Sequence, residues 1–480
     1  MSVTEQGIQR VRDRERFGPR LVGALIVLAC AVGLDVSSVA VVNAALPAIG
    51  RGLSMNEATL QWLMTGYAVT FAGFLLFSGR LADIFSRRAV FALGVGVFTV
   101  AAFAAAMAPT QGVLIMARSL QGVGAAVSGP AAMALLFQLF PEGPLRNRAL
   151  GVYTAVGASS FSAGLVFGGL LTGAFGWRSV FVFNVIAGTA VLAGFKLLPP
   201  GTSNRRPLDM PGAAMVTAGL LLAVFGISRG GEQGWGDPYA IGALAVAMCA
   251  LVAFTVWEAR TAEPLLPFSI FRSAPVRAAT LAAVVFYAVV ISVLFFAPLY
   301  MQGMLGYSPL ESGLAMVPMG ALVALFANVA TRLMTRGAGQ RALMVLGLLL
   351  IAGGVAYFTR TPLGGGYLPD ILPGVALMGI GQGLAYAGLT AATVTGVPQH
   401  QHGVAGAFNI TAQQVGGSVG TAVLVVIAAG AASGPGQEQQ LHGYHTAYLL
   451  SSIVAVIGAA VIAVMPGLRL AASDPRRRPI

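Results

Sequence analysis

Charge is what this sequence has least of. Only 9% of its 480 residues are Asp, Glu, Lys or Arg, whereas a soluble globular domain has about 25%. Hydrophobic residues make up 57% of the chain, and the mean hydropathy is +0.81. So little charge over so long a chain excludes an ordinary soluble protein and indicates one integral membrane body.

Lysine and cysteine are also scarce. Lys196 is the only lysine, and the ATP-binding pattern G-x-x-x-x-G-K-[ST] does not occur. Cys30 and Cys249 both lie in apolar stretches and are too few for a disulfide framework or a paired Cys and His metal site. We therefore expect no metal and no cofactor, and we expect that the protein is not an enzyme.

Apolar windows of about 20 residues, long enough to cross a bilayer as a helix, occur fourteen times in the sequence. Their approximate positions are 21–42, 59–79, 89–108, 112–137, 149–171, 179–198, 211–228, 239–257, 278–300, 312–331, 342–358, 371–392, 404–428 and 446–465. The seventh and eighth windows are the weakest. A re-entrant pair there, and hence twelve spans, is the alternative.

The distribution of basic residues fixes the direction of the spans, because cytoplasmic loops collect Lys and Arg. With the N-terminus inside, the inner segments hold 23 of the 28 basic residues. The outer loops hold four of them, Arg51, Arg178, Arg229 and Arg360, and Arg118 falls within a span. Both termini are therefore predicted to be cytoplasmic.

Two inner segments resemble each other. "ATRLMTRGAGQRALMVLG" from Ala330 echoes "SGRLADIFSRRAVFALG" from Ser78, eight spans earlier. Such repeats build secondary transporters with a central site between two halves. We predict a cytoplasmic tail (1–20), an N-terminal six-helix half (21–200), a linker with two inserted helices (201–262), a C-terminal six-helix half (263–466) and a basic cytoplasmic tail (467–480).

Five longer stretches stand out along the chain: "LQWLMTGYAVTFAGFLLFSGRLADIFSRR" from Leu60, "ARSLQGVGAA" from Ala117, "GWRSVFVFNVIAG" from Gly176, "YMQGMLGYSPLESGLAMVP" from Tyr300 and "FNITAQQVGGSVGTAVL" from Phe408. In this order they resemble the major facilitator superfamily, and within it the fourteen-span drug:proton antiporters that export drugs and antibiotics. The resemblance implies an all-α major facilitator fold and export driven by the proton-motive force.

The resemblance also implies a charged gating loop between spans two and three, formed by Gly79, Arg80, Asp83, Arg87 and Arg88. In that role Asp83 pairs with Arg87 or Arg88 in one conformation and releases it in the other. The alternative is a topology signal with an exposed i,i+4 pair worth about 0.3–0.5 kcal/mol.

Two ionisable side chains fall well inside the spans, Asp35 and Arg118. Charge inside a membrane is a functional hypothesis by default, so we predict proton coupling through Asp35 and Arg118. The family's usual aspartate position is occupied by Ser38, three residues later, and a helix-end anchor is the alternative role for Asp35. By resemblance Arg118 belongs to the proton-transfer machinery, and a structural arginine bonded to carbonyls is its alternative.

Span five carries Gly157, Gly164, Gly168 and Gly169, which match the family's antiporter motif, while Leu165 stands where the family has proline. Glycines here permit close helix packing. The motif therefore predicts either a direct role in coupling or a purely structural interface.

A central cavity with apolar walls and a few polar groups suits amphipathic compounds. Candidate lining residues are Asn43, Trp62, Tyr67, Phe161, Asn184, Gln302, Asn409 and Gln413. We expect neutral or monocationic cargo, protons as the coupling ion, membrane lipid as surroundings, no nucleic acid partner and a monomer in the plasma membrane of a bacterial cell. Uptake symport or facilitated diffusion of a metabolite, and a non-transporting membrane sensor, are the competing functions.

Overall fold

The computed structural model describes residues 18–140, 144–200, 209–261, 264, 268–398, 402–432, 434 and 436–465, and all regular structure within them is helical. Fourteen helices follow in order: α1 Pro19–Leu53, α2 Glu57–Ile84, α3 Arg87–Ala106, α4 Gln111–Leu139, α5 Pro144–Phe175, α6 Ser179–Ala193, α7 Met210–Gln233, α8 Pro238–Arg260, α9 Ala274–Gly303, α10 in two segments Pro309–Ala315 and Val317–Thr335, α11 Gln340–Tyr357, α12 Leu372–Val394, α13 His402–Ala431 and α14 Gln437–Val464.

Thirteen described segments have the length and hydropathy of a membrane span. The 28-residue helix α2 brings the number of long helices to fourteen. The side chains of Gly79, Arg80 and Asp83 at its end lie outside the described residues. The weak seventh and eighth windows are two separate helices, α7 and α8. The fourteen-helix prediction is therefore confirmed over the twelve-span alternative.

Three of the helices that begin on the outer side start at recognisable cap residues. Asn56 accepts a hydrogen bond from the Thr59 amide at 2.8 Å and starts α2, and Asp237 accepts one from the Ala240 amide at 2.9 Å and starts α8. Ser308 and Glu311 form a capping box that starts α10. These side chains satisfy amides that the first helical turn leaves without partners.

The helices pack in two equivalent sets of six. In the first half α1 packs on α5, α2 on α4, and α3 on both α4 and α6. In the second half the same pairs recur eight helices later: α9 with α13, α10 with α12, and α11 with α12 and α14. This recurrence confirms the internal repeat that the two inner segments indicated.

Glycines let equivalent helix pairs approach closely in both halves. A Cβ added at Gly94 of α3 would lie 2.5 Å from the Ser128 backbone nitrogen of α4. A Cβ added at Gly347 of α11 would lie 2.6 Å from the backbone nitrogen of Ala385 in α12. Both pairs place backbone against backbone, as small residues do in membrane helix packing.

The inserted pair α7 and α8 packs against one side of the bundle. α7 contacts α2 and α13, while α8 packs chiefly on α7. Gln61 Nε2 of α2 donates to Ser228 Oγ of α7 at 2.9 Å, within an otherwise apolar contact. α7 is therefore in contact with both six-helix halves.

Two local predictions need correction. The segment Gly79–Arg88 is not a loop: α2 continues to Ile84 and α3 begins at Arg87, so only Phe85 and Ser86 connect them. No helix-breaking proline occurs in this stretch, and half of its residues are strong helix formers. The tenth span is also interrupted, at Met316, just before Pro318 in the first turn of its second segment.

Candidate functional site

Arg118 lies fully buried among α1, α2 and α4. Its Nε donates to the Leu63 carbonyl of α2 at 3.2 Å. Its Nη1 donates to Gln121 Oε1 at 2.9 Å and to Ser38 Oγ of α1 at 3.1 Å. The guanidinium carbon lies 4.6 Å from the centre of the Tyr67 ring, within cation–π distance. One cation thus holds three helices together.

The charge of Arg118 has no counterion in direct contact. Over the described part of the chain it forms no ion pair, and its Nη2 has no hydrogen-bond partner. A buried guanidinium without a carboxylate is costly, and polar contacts offset that cost only in part. A polar or negatively charged group that reached Nη2 in another conformation would therefore bind strongly.

Asp35 lies near the middle of α1, not at its end. It follows Pro19, the first helical residue, by 16 positions, or about 24 Å at 1.5 Å per residue. Its carboxyl group interacts with the hydroxyl of Ser128 and acts electrostatically on the rings of Tyr67 and Tyr153. The alternative of a helix-end anchor is wrong, because the residue stands several turns inside the helix.

Tyr67 connects the two predicted coupling residues. Its ring packs against the Arg118 guanidinium, and the charges of Asp35 and Arg118 both act on it. Sequence reasoning placed Tyr67 in the substrate cavity, whereas in the structure it is 3% exposed and its ring packs against Arg118. Asp35, Tyr67 and Arg118 therefore form one cluster inside the N-terminal half, in which Tyr67 and Arg118 are buried and Asp35 is half-buried. We call these three residues the buried cluster.

The four antiporter-motif glycines contact two different helices, α1 and α10. Gly164 and Gly168 face α1, where a Cβ added at Gly168 would lie 2.6 Å from Val41 Cα. Gly169, the next residue, faces the other half, and a Cβ there would lie 2.8 Å from Leu310 Cα of α10. Gly157 is in ordinary contact with Val32. Three glycines of the motif thus contact α1 within the half, and one contacts the other half.

The two halves meet closely on the outer side. Besides Gly169 against Pro309 and Leu310, a Cβ added at Gly313 would lie 2.5 Å from the Leu165 carbonyl oxygen. Gln302 Nε2 of α9 donates to the Ala44 carbonyl of α1 at 3.0 Å. We call this contact the outer seam, formed by Ala44, Leu165, Gly169, Gln302, Pro309, Leu310 and Gly313.

Further toward the inner side, the contact between α5 and α10 becomes sparse. It includes Ser162 against Gly320, where an added Cβ would lie 3.0 Å from Ser162 Cβ. The second segment of α10 contacts α5 less than its short first segment does. Exposed residues of this part of both helices are Gly151, Thr154, Ala155, Ser159, Ala321, Ala324, Leu325 and Asn328. The described parts of α5 and α10 therefore contact each other closely on the outer side and more sparsely toward the inner side.

A small, mainly apolar cavity lies beside the outer seam, and Asn43 contributes a polar side chain to its wall. Its lining residues are Asn43, Ala44, Leu165, Leu294, Ala297, Pro298, Met301, Ser312, Gly313 and Met316. Asn43 is 1% exposed, and its Oδ1 has no hydrogen-bond partner in the described structure. Of the eight cavity candidates, Asn43 alone lines this space.

The other candidates are distributed over several interfaces. Gln413 Nε2 donates to Asn409 Oδ1 at 2.7 Å within α13, and Gln302 belongs to the outer seam. Trp62 packs with α7 and α13 residues, and Phe161 packs against the main core. Asn184 is fully buried in α6, with both amide atoms unpaired in the described structure. The candidates therefore do not form one enclosed pocket in this conformation.

Of the predicted gating residues, Arg87 and Arg88 have described side chains. The guanidinium carbon of Arg88 lies 4.0 Å from the ring centre of Phe195, just after α6. The side chains of Arg80 and Asp83 lie outside the described residues. Pairing of Asp83 with either arginine stays a prediction.

Two stretches match the G-x-S-x-G pattern of a hydrolase nucleophile, Gly226–Gly230 and Gly416–Gly420. Both lie inside long helices, α7 and α13, whereas the nucleophile elbow requires a strand before its turn. Ser228 accepts a hydrogen bond from Gln61, and Ser418 donates to the Gln414 carbonyl at 2.7 Å. Neither serine has the strand and turn of a catalytic elbow.

Sequence reasoning missed the role of Ser38 and of the α10 glycines. Ser38 still contacts Arg118, although the family's usual acid is absent from that position. Gly313 and Gly320 are seven residues apart, a spacing that places both on one face of a helix. That spacing was the available signal for an α10 packing face.

Two repeated six-helix halves, a buried cation in the first half and a glycine-mediated seam between the halves define a secondary transporter. The family model of the Major Facilitator Superfamily matches residues 25–421. The chain belongs to this superfamily and is a multi-pass transporter of the plasma membrane.

Curated relatives extend over most of the chain. It is 36% identical to the puromycin resistance protein pur8 of Streptomyces alboniger, over 95% of this chain and 93% of that protein. It is 36% identical to the cephamycin export protein CmcT of Amycolatopsis lactamdurans, over 92% of each. It is also 36% identical to the tetracenomycin C resistance and export protein of Streptomyces glaucescens, over 87% of this chain and 77% of that protein.

Solved structures agree in fold. A crystal structure of a peptide transporter POT in complex with sulfate superposes with a TM-score of 0.69 at 16% identity, covering 93% of this chain and 95% of that chain. A POT family transporter in complex with 5-aminolevulinic acid gives 0.68 at 14% identity, over 93% and 96%. At this identity the likeness shows the shared fold alone.

Proposed function

We propose that this protein exports amphipathic, antibiotic-like compounds from the cytoplasm in exchange for protons. The observation that carries the proposal is the near full-length similarity to relatives named for puromycin resistance, cephamycin export and tetracenomycin C resistance and export. The buried cluster and the outer seam supply residues suited to such an exchange. The cargo leaves chemically unchanged, the chain acts as a monomer and protons are the only coupling ion.

In this mechanism Asp35 carries the proton. Its carboxyl group lies within the first half, beside Ser128, Tyr67 and Tyr153. When Asp35 is ionised, its negative charge acts on Tyr67, whose ring also lies against Arg118; when Asp35 is protonated, that charge is lost. The protonation state of one acid therefore changes the electrostatic balance among α1, α2 and α4.

The close outer seam and the sparse inner contact between α5 and α10 suit a conformation that loads cargo from the cytoplasm. Alternating access then requires the seam to open and the inner parts to meet. Gly169, Gly313 and Gln302 are the contacts that must break in that step. The seam cavity beside Asn43 lies on the route by which cargo leaves.

The proton-motive force is sufficient for export. One charge that crosses 100 mV supplies about 2.3 kcal/mol, and each 1.4 kcal/mol is a tenfold concentration ratio. One proton per cargo molecule therefore sustains a gradient of about forty-fold per 100 mV. The expected cargo is neutral or monocationic, because Asp35 is the single acid of the buried cluster.

The test uses inverted vesicles that contain a pH-sensitive dye and are energised by respiration. Puromycin, tetracenomycin C and a lipophilic monocation are added in turn, and proton release is recorded. The parent protein should release protons on addition of at least one compound. Asp35→Asn should abolish that release, whereas Asp35→Glu, which keeps a titratable group, should retain part of it.

Asp237→Asn is the matched control, because Asp237 is an acid at the outer start of α8, away from the buried cluster. It should release protons like the parent. If Asp35→Asn keeps the release, another residue carries the proton. If folded parent protein releases none with any compound, or takes up cargo together with protons, export by antiport is wrong for this panel.

A further inference from the structure

A group of polar contacts joins the two halves at the outer end of α2, outside the outer seam. Glu57, the first residue of α2, accepts a hydrogen bond from the Tyr444 hydroxyl of α14. The same carboxylate oxygen accepts a bond from Gln440 Nε2 at 2.5 Å. Gln440 Nε2 also donates to the Tyr444 hydroxyl at 3.1 Å. Three side chains thus form a closed triangle between residues 387 positions apart in the chain.

Each side of this triangle is held firmly by its own half. Tyr444 is 2% exposed, and its ring centre lies 5.1 Å from that of Phe296 in α9. Glu57 begins α2 directly after its cap residue Asn56, which bonds the Thr59 amide and hydroxyl. The carboxylate and the phenol are therefore presented with little freedom to rearrange.

We propose that Glu57, Tyr444 and Gln440 form an outer latch, a hydrogen-bonded clasp that stabilises the outward-closed conformation of this carrier. Hydrogen bonds to a charged group are stronger than neutral ones, and a partly buried setting strengthens them further. Opening of the outer side moves the end of α2 away from α14 and breaks both bonds to Glu57 together. The apolar seam gives shape complementarity, and the latch adds hydrogen bonds, whose strength depends on the relative orientation of donor and acceptor.

The latch is distinct from the buried cluster. Glu57 stands at the outer end of α2, whereas Tyr67 of the cluster lies ten residues further into the same helix, about 15 Å along its axis. Tyr444 and Gln440 belong to α14, which is not among the helices that hold Arg118. Loss of the latch should therefore change the conformational equilibrium without removing the proton carrier.

A reporter cysteine in the seam measures outer opening without any transport assay. Ala44 is 2% exposed and lines the seam cavity, so a cysteine there is reached only when the outer side opens. Ala44→Cys is placed in a background with Cys30→Ser and Cys249→Ser, since both natural cysteines are exposed. Intact cells are treated with a membrane-impermeant maleimide, and the labelling rate reports the fraction of open molecules.

Tyr444→Phe, which removes one oxygen and keeps the ring, should raise the labelling rate about ten-fold, the factor equivalent to 1.4 kcal/mol. Glu57→Ala should raise it by a similar factor. The double variant should label no faster than the faster single variant, because both changes remove the same interaction. Glu438→Ala, an exposed acid in the first turn of α14, should label like the parent.

Rates unchanged in both single variants would overturn the latch. Multiplied effects in the double variant would overturn it as well, because the two residues would then act separately. Should Glu57→Ala fail to fold, judged by size-exclusion elution, the same comparison is made with Gln440→Ala and Tyr444→Phe. Because Gln440 is exposed, its truncation should not prevent folding. Labelling at the parent rate in both of those variants would contradict the proposal equally.

Discussion

Substitution of Gly169 by alanine tests how the halves close. Gly169 lies on α5 and faces the α10 backbone across the outer seam, where an added Cβ would lie 2.8 Å from Leu310 Cα. That distance is well below the 3.5–4.0 Å at which carbon atoms attract each other. Because the neighbouring atoms are backbone, a rotamer change cannot relieve the clash. The two halves must move apart at this point.

The size of the effect follows from overpacking. Extra methyl groups in a well-packed interface cost about 1–3 kcal/mol. In the open conformation α5 and α10 are apart, so this cost falls on the closed state alone. A difference of this size shifts the equilibrium toward the outward-open state by about 5- to 150-fold.

The seam reporter Ala44→Cys measures this shift, through the rate at which an external maleimide labels intact cells. While the open state is a minor fraction, the labelling rate of Gly169→Ala should rise by the same factor as the equilibrium. Export should fall, because the carrier returns less often to the conformation that loads cargo.

Two neighbouring glycines supply the controls. Gly173 lies one turn further along α5, with open space around an added Cβ, so Gly173→Ala should label like the parent. Gly168→Ala meets α1 inside the same half and should lower thermal stability without faster labelling. If folded Gly169→Ala labels no faster than Gly173→Ala, closure does not depend on this backbone contact and the reasoning fails.

Three further predictions concern other parts of the chain. Ser38→Asp places a carboxylate beside Arg118 Nη1, which lies 3.1 Å from the serine hydroxyl. Combined with Asp35→Asn, it should restore the compound-dependent proton release that Asp35→Asn alone loses. Absence of this rescue would mean that position 38 cannot serve as the proton carrier. Asn184→Leu removes two buried, unpaired amide atoms and should raise the free energy of unfolding by about 1–3 kcal/mol with export intact; loss of export in stable protein would give Asn184 a role in transport. The hydrogen bond from Arg229 to Asp237, 2.7 Å long, lowers the pKa of Asp237 below its usual value, so its stabilising effect is complete above an ordinary aspartate pKa of about 3.9 and is lost as the pH falls through the lowered value. Thermal unfolding in detergent should therefore show Asp237→Ala less stable than the parent at neutral pH, with a gap that narrows in acid; a constant gap would contradict this.

The sequence was sufficient for the number and approximate positions of the helices. Apolar length determines a membrane helix almost alone, and the fourteen windows correspond to fourteen helices. The ends were less predictable, because helices extend past the apolar window into the polar interface. α1 continues to Leu53 and α2 to Ile84, and the predicted gating loop became mostly helix for that reason.

Contacts between distant residues could not be predicted from sequence. Gly168 and Gly169 are neighbours in the chain, yet a helix turns by about 100° per residue, and the two face different halves. Glu57 and Tyr444 lie in no recognisable sequence motif, and their contact depends on how the two halves pack together. The absent family acid at position 38 gave no indication that Ser38 would still bond Arg118.

The position of α7 has a consequence for cargo dissolved in the bilayer. α7 contacts both α2 and α13 and so covers one of the two sides on which the halves face lipid. On the other side the contact between α5 and α10 becomes sparse toward the cytoplasm, and no other described helix contacts both of them extensively. An amphipathic compound that partitions into the inner leaflet would enter the carrier from the lipid on this side, and its concentration in the membrane, more than in the cytosol, would then set how fast it is captured.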